Sequence, residues 1–188
     1  HITTSNPKEI EATLKDIHIT FRRHGETGKN DTYLNGLNVE EEIRKMYISE
    51  KVSEISAIPA VRRELVAQQQ KMGKTKGMVL DGRDIGTVVF PNAELKIFMT
   101  ADPTIRAQRR QKELLDKGEI VGLEKILENL KSRDFNDTNR SEGPLKQAND
   151  AFYLDNSFMT LDEQVELVTS LADEQIAISL RKRDALGK

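Results

Sequence analysis

Two stretches of this sequence gather arginine and aspartate residues in patterns that suit phosphate chemistry. The first, Asp81-Gly82-Arg83-Asp84, directly follows the apolar residues 78–80. A guanidinium group presents a planar fork of N–H donors to a phosphate, a carboxylate accepts hydrogen bonds from an amine or a hydroxyl, and Asp81 could order the water shell of Mg²⁺. Asp-Gly is also ordinary turn chemistry, so Asp81 alone fits a plain turn equally well. Arg83 and Asp84 together at a strand end favour a binding site.

The second stretch is residues 131–140. If it is helical, Arg133, Asp137 and Arg140 fall at positions i, i+4 and i+7 on one face. Asp137 could then pair with either arginine and hold two guanidinium groups side by side, an arrangement that grips a phosphate or the hydroxyls of a ribose. The alternative is a surface ladder of ion pairs worth about a few tenths of a kcal/mol each, and spacing alone favours it.

Two further sets of residues are ambiguous. One side of a predicted helix carries three like charges, those of Arg106, Arg109 and Arg110. A phosphate-rich ligand would explain this arrangement, and a solvated face with Glu113 as partner would explain it equally well. Ser53 and Arg62 are nine residues apart and converge only if Pro59 breaks the helix between them.

Composition excludes several classes of function. Among 188 residues, 29 Lys and Arg face 31 Asp and Glu, so we expect no nucleic-acid or membrane partner that needs a broad basic field. Without cysteine there is no disulfide, thiolate metal site or cysteine nucleophile, and 3 His leave little for a histidine metal site. Because no apolar run reaches transmembrane length and no signal peptide is visible, we expect a cytoplasmic protein.

Two stretches look like phosphate-binding P-loops but do not match the P-loop pattern. Gly73-Lys74-Thr75 has Gln68 where the pattern requires glycine, and it runs from helix to strand rather than from strand to helix. Residues 25–29 end in Gly-Lys but are followed by Asn30 instead of Ser or Thr. We interpret both as loops.

The first part of the chain predicts helices around a small antiparallel unit. A helix begins at Pro7, capped by Asn6, and its inward residues are Ile10, Leu14 and Ile17. Residues 17–39 predict antiparallel strands joined by a type I′ turn at Asn35-Gly36. Residues 40–72 predict helices broken at Pro59, with Val52, Ile55, Val61 and Leu65 on the apolar faces.

From residue 78 onward, short strands alternate with helices, which is typical of a parallel α/β sheet with right-handed crossovers. The predicted strands are 78–80, 95–99 and 151–154. One helix runs from Asp102-Pro103 to Lys117, and the next carries the stripe Leu123, Ile126, Leu127 and Leu130. The last helix begins at a capping box, Thr160 to Glu163, and its predicted inward residues are Val165, Val168, Ala172 and Ile176.

Two blocks of this sequence are specific when taken together: Gly82-Arg83-Asp84-Ile85-Gly86-Thr87-Val88-Val89-Phe90-Pro91, and Arg133-Asp134 followed by Asp137-Thr138-Asn139-Arg140 and Pro144-Leu145. Both blocks resemble the signature stretches of bacterial cytidylate kinases. The resemblance covers essentially the whole chain and implies a P-loop nucleoside monophosphate kinase fold. Residues 1–76 would be the nucleotide-binding insert, and residues 77–188 the α/β core with a short lid around 104–120.

The same resemblance implies that the γ-phosphoryl group of ATP passes to CMP or dCMP with Mg²⁺, and that the protein is a monomer. Ser53, Arg62 and Asp84 would contact the cytosine, and Arg83 would hold the acceptor phosphate. Asp137 and Arg140 would bind the ribose with Arg133 nearby, and Arg106, Arg109 and Arg110 would meet the ATP phosphates from the lid. The alternatives are a P-loop kinase for another small acceptor and a nucleotide-binding module without catalysis.

One departure from the family pattern concerns the donor site. The 188 residues contain no Gly-x-x-Gly-x-Gly-Lys-[Ser/Thr] loop, nor the first strand, the helix and the acceptor-phosphate arginine that accompany it in the family. We therefore expect the isolated chain to bind ATP poorly and to turn over little or nothing. We also expect an exposed sheet edge and apolar face through which it could self-associate.

Overall fold

The computed structural model of this chain describes residues 7–26 and 28–186. They form two compact units. The first runs to Val79 and also includes Asn139–Pro144, whereas the second holds Leu80–Thr138 and the chain from Leu145 onward. None of the helices in the described residues is both long enough and apolar enough to cross a membrane.

Three helices form the core of the first unit: α1 (Pro7–Lys15), α2 (Met46–Ser56) and α3 (Pro59–Met72). Ile10, Leu14 and Val61 are buried together, and partly buried residues that include Ile17 and Ile55 pack against them. The predicted break at Pro59 is confirmed, because Ile58 is extended (φ −73°, ψ 118°) and the proline occupies the first turn of α3. The predicted cap, Asn6, lies outside the described residues.

The predicted antiparallel unit is also confirmed. Strands β1 (Ile19–Arg23), β2 (Asn30–Leu34) and β3 (Leu37–Asn38) form an antiparallel sheet in that order. Asn35 and Gly36 both have positive φ, 50° and 84°, as a type I′ turn requires. The Asn35 side chain also accepts a hydrogen bond from the His18 N–H at 2.8 Å, which helps to fix the turn.

The second unit is built on a parallel strand pair with three helices. Strand β4 (Ile97–Thr100) pairs with β5 (Phe152–Asp155), and the helices are α4 (Pro103–Asp116), α5 (Leu123–Asn139) and α6 (Leu161–Leu186). Helices α4 and α5 share a core of Ala107, Leu114 and Ile126. The mixed α/β class predicted from the sequence, with a parallel sheet and a small antiparallel one, is therefore confirmed.

The predicted strand at residues 78–80 is wrong. In the described part of the chain the parallel sheet holds β4 and β5 alone, so this segment has no neighbour to complete a hydrogen-bond ladder. Val79 is 99% exposed, and Met78 is exposed as well. A short apolar run becomes a strand only where another strand pairs with it, and the run itself does not encode that partner.

The predicted inward face of α6 is partly wrong. Val165 and Ile176 are exposed, whereas Val168 and Ala172 are half-buried as predicted. Leu167 and Leu171 are half-buried too, which shows that the inward stripe is rotated about the helix axis toward these leucines. The larger side chains at 167 and 171 take the inward positions, and Val165 and Ile176 then lie outside the stripe.

Candidate functional site

Residues 82–91 form an irregular turn that the sequence did not predict. The Asp84 carbonyl accepts hydrogen bonds from the N–H groups of Thr87 (3.3 Å), Val88 (2.9 Å) and Val89 (3.3 Å), and Phe90 N–H donates to the Ile85 carbonyl at 2.7 Å. Ile85–Val89 is therefore one turn of π-helix. Such turns are rare overall, but those that occur often lie at functional sites, and no simple periodicity encodes them. Asp84 is buried where this turn begins.

The two glycines on either side of Arg83 and Asp84 lie close to neighbouring side chains. A Cβ atom at Gly82 would lie 2.9 Å from the Ile85 side chain, and one at Gly86 would lie 3.2 Å from Cδ of Lys96. Neither distance leaves ordinary room for a methyl group at these positions. A side chain at either position would therefore require Ile85 or Lys96 to shift.

Arg83, Arg133 and Asp137 form the centre of the candidate site. Nε of Arg83 donates to Oδ2 of Asp137 at 3.0 Å, and Nε of Arg133 lies 3.8 Å from the same oxygen. The Asp137 side chain is only 4% exposed, while those of Arg83 and Arg133 are about one-third exposed, at 34% and 30%. Among the described residues, the terminal nitrogens of Arg83 and Arg133 make no hydrogen bond.

The electrostatics of this trio favour an added anion. Two guanidinium groups flank one carboxylate, which leaves a local charge of about +1. Burial lowers the pKa of Arg133, and the neighbouring charge of Arg83 lowers this pKa further, against the opposing effect of Asp137. A phosphate near the two arginines would reduce their mutual repulsion and use N–H groups that the described protein leaves unbonded.

The three arginines of α4 all have protein partners. Arg106 binds the Asp134 carboxylate through both terminal nitrogens, the longer contact at 3.2 Å, and this hydrogen bond raises the pKa of Arg106. Arg109 donates to the side chain and carbonyl of Asn156 and to the Ser157 carbonyl. Arg110 binds Glu113 at 2.8 Å, the partner considered from the sequence. The contact between Arg106 and Asp134 had no signal in the sequence, because 28 positions separate the two residues.

Helix α5 carries only part of the predicted arrangement of residues 131–140. Arg133 and Asp137 lie on the helix at i and i+4 as predicted. Arg140 lies one residue beyond the end of α5 at Asn139, so the helical spacing considered from the sequence stops before it, and its role stays a prediction. There its Nε donates to the Gly143 carbonyl at 2.6 Å, and both residues belong to the first unit.

The remaining predicted residues lie in separate places. Arg62 is half-buried on α3 of the first unit. Ser53 belongs to α2, but its side chain lies outside the described residues. Asp81 is exposed. Within the described residues, no group of three His, Asp or Glu side chains is placed to hold a metal ion, so Asp81 as an indirect Mg²⁺ ligand stays a prediction.

Comparison with known proteins gives consistent similarities. A family model described as "Cytidylate kinase" matches residues 1–174. The cytidylate kinase of Cytophaga hutchinsonii is 54% identical over 172 residues, which cover 92% of this chain and 74% of the relative. That of Parabacteroides distasonis is 59% identical over 157 residues (84% and 69%), and that of Bacteroides fragilis is 56% identical over 178 residues (95% and 77%).

Proposed function

Since this chain belongs to the cytidylate kinase family, we propose that it binds CMP or dCMP as the acceptor of the ATP γ-phosphoryl group. The products would be ADP and CDP or dCDP. In-line phosphoryl transfer needs no protein nucleophile, because catalysis comes from positioning the two nucleotides and from neutralising charge on the moving group. A chain without cysteine and with only 3 His suits this chemistry.

The observation that carries the proposal is the pair of arginines around Asp137. Nε of Arg83 is held by the buried carboxylate, while its terminal nitrogens bond to none of the described residues. A guanidinium fixed through Nε presents its remaining donors to a phosphate with little loss of side-chain entropy. Arg133 adds a second positive charge next to it. We assign the acceptor phosphate to Arg83, with Arg133 in support.

We assign recognition of the base to Asp84, with Ser53 and Arg62 as further contacts. A carboxylate accepts a hydrogen bond from the exocyclic amine of cytosine, whereas uracil has a carbonyl oxygen at that position and would repel it. Because Asp84 is buried, little water competes for its carboxylate, and a contact at this position would distinguish an amine from a carbonyl oxygen on the base. Asp137 and Arg140 would bind the ribose.

The donor side of the proposal concerns ATP and Mg²⁺. Arg106, Arg109 and Arg110 on α4 suit the ATP phosphates by charge, and each would exchange a protein partner for a phosphate oxygen. Asp81 is an exposed carboxylate, which fits a role through the waters that Mg²⁺ retains. When bound, Mg²⁺ neutralises phosphate charge. The proposal also includes a cytoplasmic location and partners limited to small molecules. Residues 104–120 would form a short lid.

Isothermal titration calorimetry of the 188-residue chain tests the acceptor side. We expect CMP to bind at least about tenfold more tightly than UMP, which corresponds to about 1.4 kcal/mol. Arg83→Met should strongly reduce the preference for CMP over cytidine, because that preference depends on the phosphate and Arg133 alone would remain to meet it. Asp84→Asn should reduce the preference for CMP over UMP.

Arg63→Met is the matched control for loss of a guanidinium group. Arg63 is exposed and pairs with Glu142 at 3.4 Å, and it has no role in the proposal. This variant should bind CMP as the parent does. If the parent bound CMP and UMP equally, or bound no nucleotide, the proposal would be wrong.

A coupled assay for ADP release tests the expectation about turnover. With ATP, Mg²⁺ and CMP, we expect little or no activity from these 188 residues alone, because they contain no P-loop sequence. Normal CMP phosphorylation would contradict that expectation and support the kinase assignment. CMP binding without transfer by the full natural gene product would favour the alternative of a non-catalytic nucleotide-binding module.

A further inference from the structure

Lys96 is a nearly buried charge whose three donors are all engaged. Its side chain is only 7% exposed. Nζ donates to both carboxylate oxygens of Asp150, at 2.8 Å each, and to the Pro91 carbonyl at 2.5 Å. Burying an ammonium group is costly unless it is paired and hydrogen-bonded, so the position is specified by these three acceptors. An ammonium group with three occupied N–H groups is not available to a ligand.

The aliphatic part of Lys96 packs against the turn that carries Arg83 and Asp84. Its Cδ and Cγ lie 3.2 and 3.4 Å from where a Cβ of Gly86 would stand. Lys96 therefore touches the turn of residues 82–91 at two points, through Gly86 in its middle and through Pro91 at its end. The π-helical part between these points begins at the Asp84 carbonyl, so its geometry determines where Asp84 lies.

Asp150 links Lys96 to a second part of the candidate site. Asp150 belongs to the segment between α5 and β5. Leu145, where this segment enters the second unit, donates its N–H to the Asp137 carbonyl at 2.7 Å. The hydrogen bond from Lys96 lowers the pKa of Asp150. One ammonium group thus joins the turn that carries Arg83 and Asp84 to the segment anchored at Asp137.

We propose that Lys96 is a positioning residue for nucleotide binding: it holds the turn of residues 82–91 so that Arg83 and Asp84 meet the phosphate and the base of one nucleotide. It does this from behind the turn and makes no contact with the nucleotide. The inference rests on the proposed function, because it assumes that Arg83 and Asp84 bind CMP.

Lys96→Met is the decisive variant, because methionine keeps most of the aliphatic stem and removes the ammonium group. We expect the CMP affinity of the 188-residue chain to fall by about tenfold to 100-fold, since small displacements of binding groups have effects of this size. The preference for CMP over UMP should fall as well, because Asp84 is displaced. A purely structural loss would lower the bound fraction for both nucleotides equally and leave this preference unchanged.

Lys125→Met is the matched control, because Lys125 is exposed on α5 of the same unit. It should leave both affinities unchanged. Circular dichroism at the titration temperature establishes that each variant is folded. If Lys96→Met does not fold, Asp150→Ala replaces it; Asp150 is 66% exposed, and its loss should weaken CMP binding about threefold or more through the same turn.

The outcomes separate this inference from the proposed function. Suppose that the parent chain binds CMP and that a folded Lys96→Met or Asp150→Ala variant keeps both the affinity for CMP and the preference for CMP over UMP. The positioning role is then wrong, and the proposed function stands. If the parent chain does not bind CMP, both are wrong. Weaker CMP binding with a reduced preference supports both.

Discussion

Asp137→Asn should destabilise the second unit measurably, because it removes the carboxylate shared by Arg83 and Arg133. Breaking a buried ion pair at one partner costs about 3–5 kcal/mol when the remaining charge is fully buried. Here the two guanidinium groups keep about one-third of their surface in solvent, and asparagine can still accept the hydrogen bond from Arg83. Both effects reduce the cost, and we expect about 2 kcal/mol.

Urea denaturation followed by circular dichroism at low ionic strength measures this change. A loss of about 2 kcal/mol also corresponds to a fall in Tm of about 4–8 °C for a chain of this size. Glu113→Gln is the control, because Glu113 pairs with Arg110 at an exposed position and its loss should cost less than about 0.5 kcal/mol.

A double variant tests the physical reason for the loss. If repulsion between uncompensated guanidinium groups causes part of it, Arg133→Met added to Asp137→Asn should cost less than the sum of the two single substitutions, by about 1 kcal/mol. Strict additivity, or an Asp137→Asn variant as stable as the parent, would refute the reasoning. Inorganic phosphate should stabilise the parent more than the Arg83→Met variant, since it binds the folded form alone.

Three further predictions concern single residues outside this trio. Glu40 accepts hydrogen bonds from Arg44 and Thr32, and these bonds, chiefly the one from Arg44, lower its pKa below the ordinary 4.5. The stability that this carboxylate contributes is fully present above its unfolded-state pKa and is lost as the pH falls through its folded-state pKa. Denaturant titrations should therefore show a weaker decline of stability below pH 4.5 in Glu40→Gln than in the parent. Thr160→Ala should cost about 1 kcal/mol in urea unfolding, because it removes the oxygen that caps the Glu163 N–H, and Thr160→Ser should restore it. Lys76→Gly should raise the free energy of unfolding by about 1 kcal/mol, because φ 56° and ψ −169° suit glycine alone. The urea midpoint should then rise, and a lower midpoint would contradict this account.

Elements with a local signal could be predicted from the sequence. The starts of α3, α4 and α6 follow from Pro59, from Asp102-Pro103 and from the Thr160 capping box, and the hairpin follows from Asn35-Gly36. In each case the residues that determine the structure lie within about four positions of one another. The Asp102 side chain, for example, accepts from the N–H groups of Thr104 and Ile105.

Features that depend on distant partners could not be predicted in this way. Nothing in residues 78–80 encodes whether a neighbouring strand pairs with them. The π-helical turn after Asp84 depends on hydrogen bonds that no apolar periodicity reports. In the site, the spacing of Arg133 and Asp137 was visible, but 54 positions separate Arg83 from Asp137 and also Lys96 from Asp150. Only the resemblance placed Arg83 near Asp137, and it gave no role to Lys96.

The two sheets differ in how far apart their pairing residues lie along the chain, and this difference sets an order of folding. The hairpin closes through two residues, Asn35 and Gly36, a step that takes about 1–10 μs. The parallel sheet must bring Ile97 to Phe152, with α4 and α5 in the intervening loop, so it carries a larger entropic cost of closure. During synthesis the hairpin can therefore be complete while β4 is still unpaired, because β5 has not yet left the ribosome.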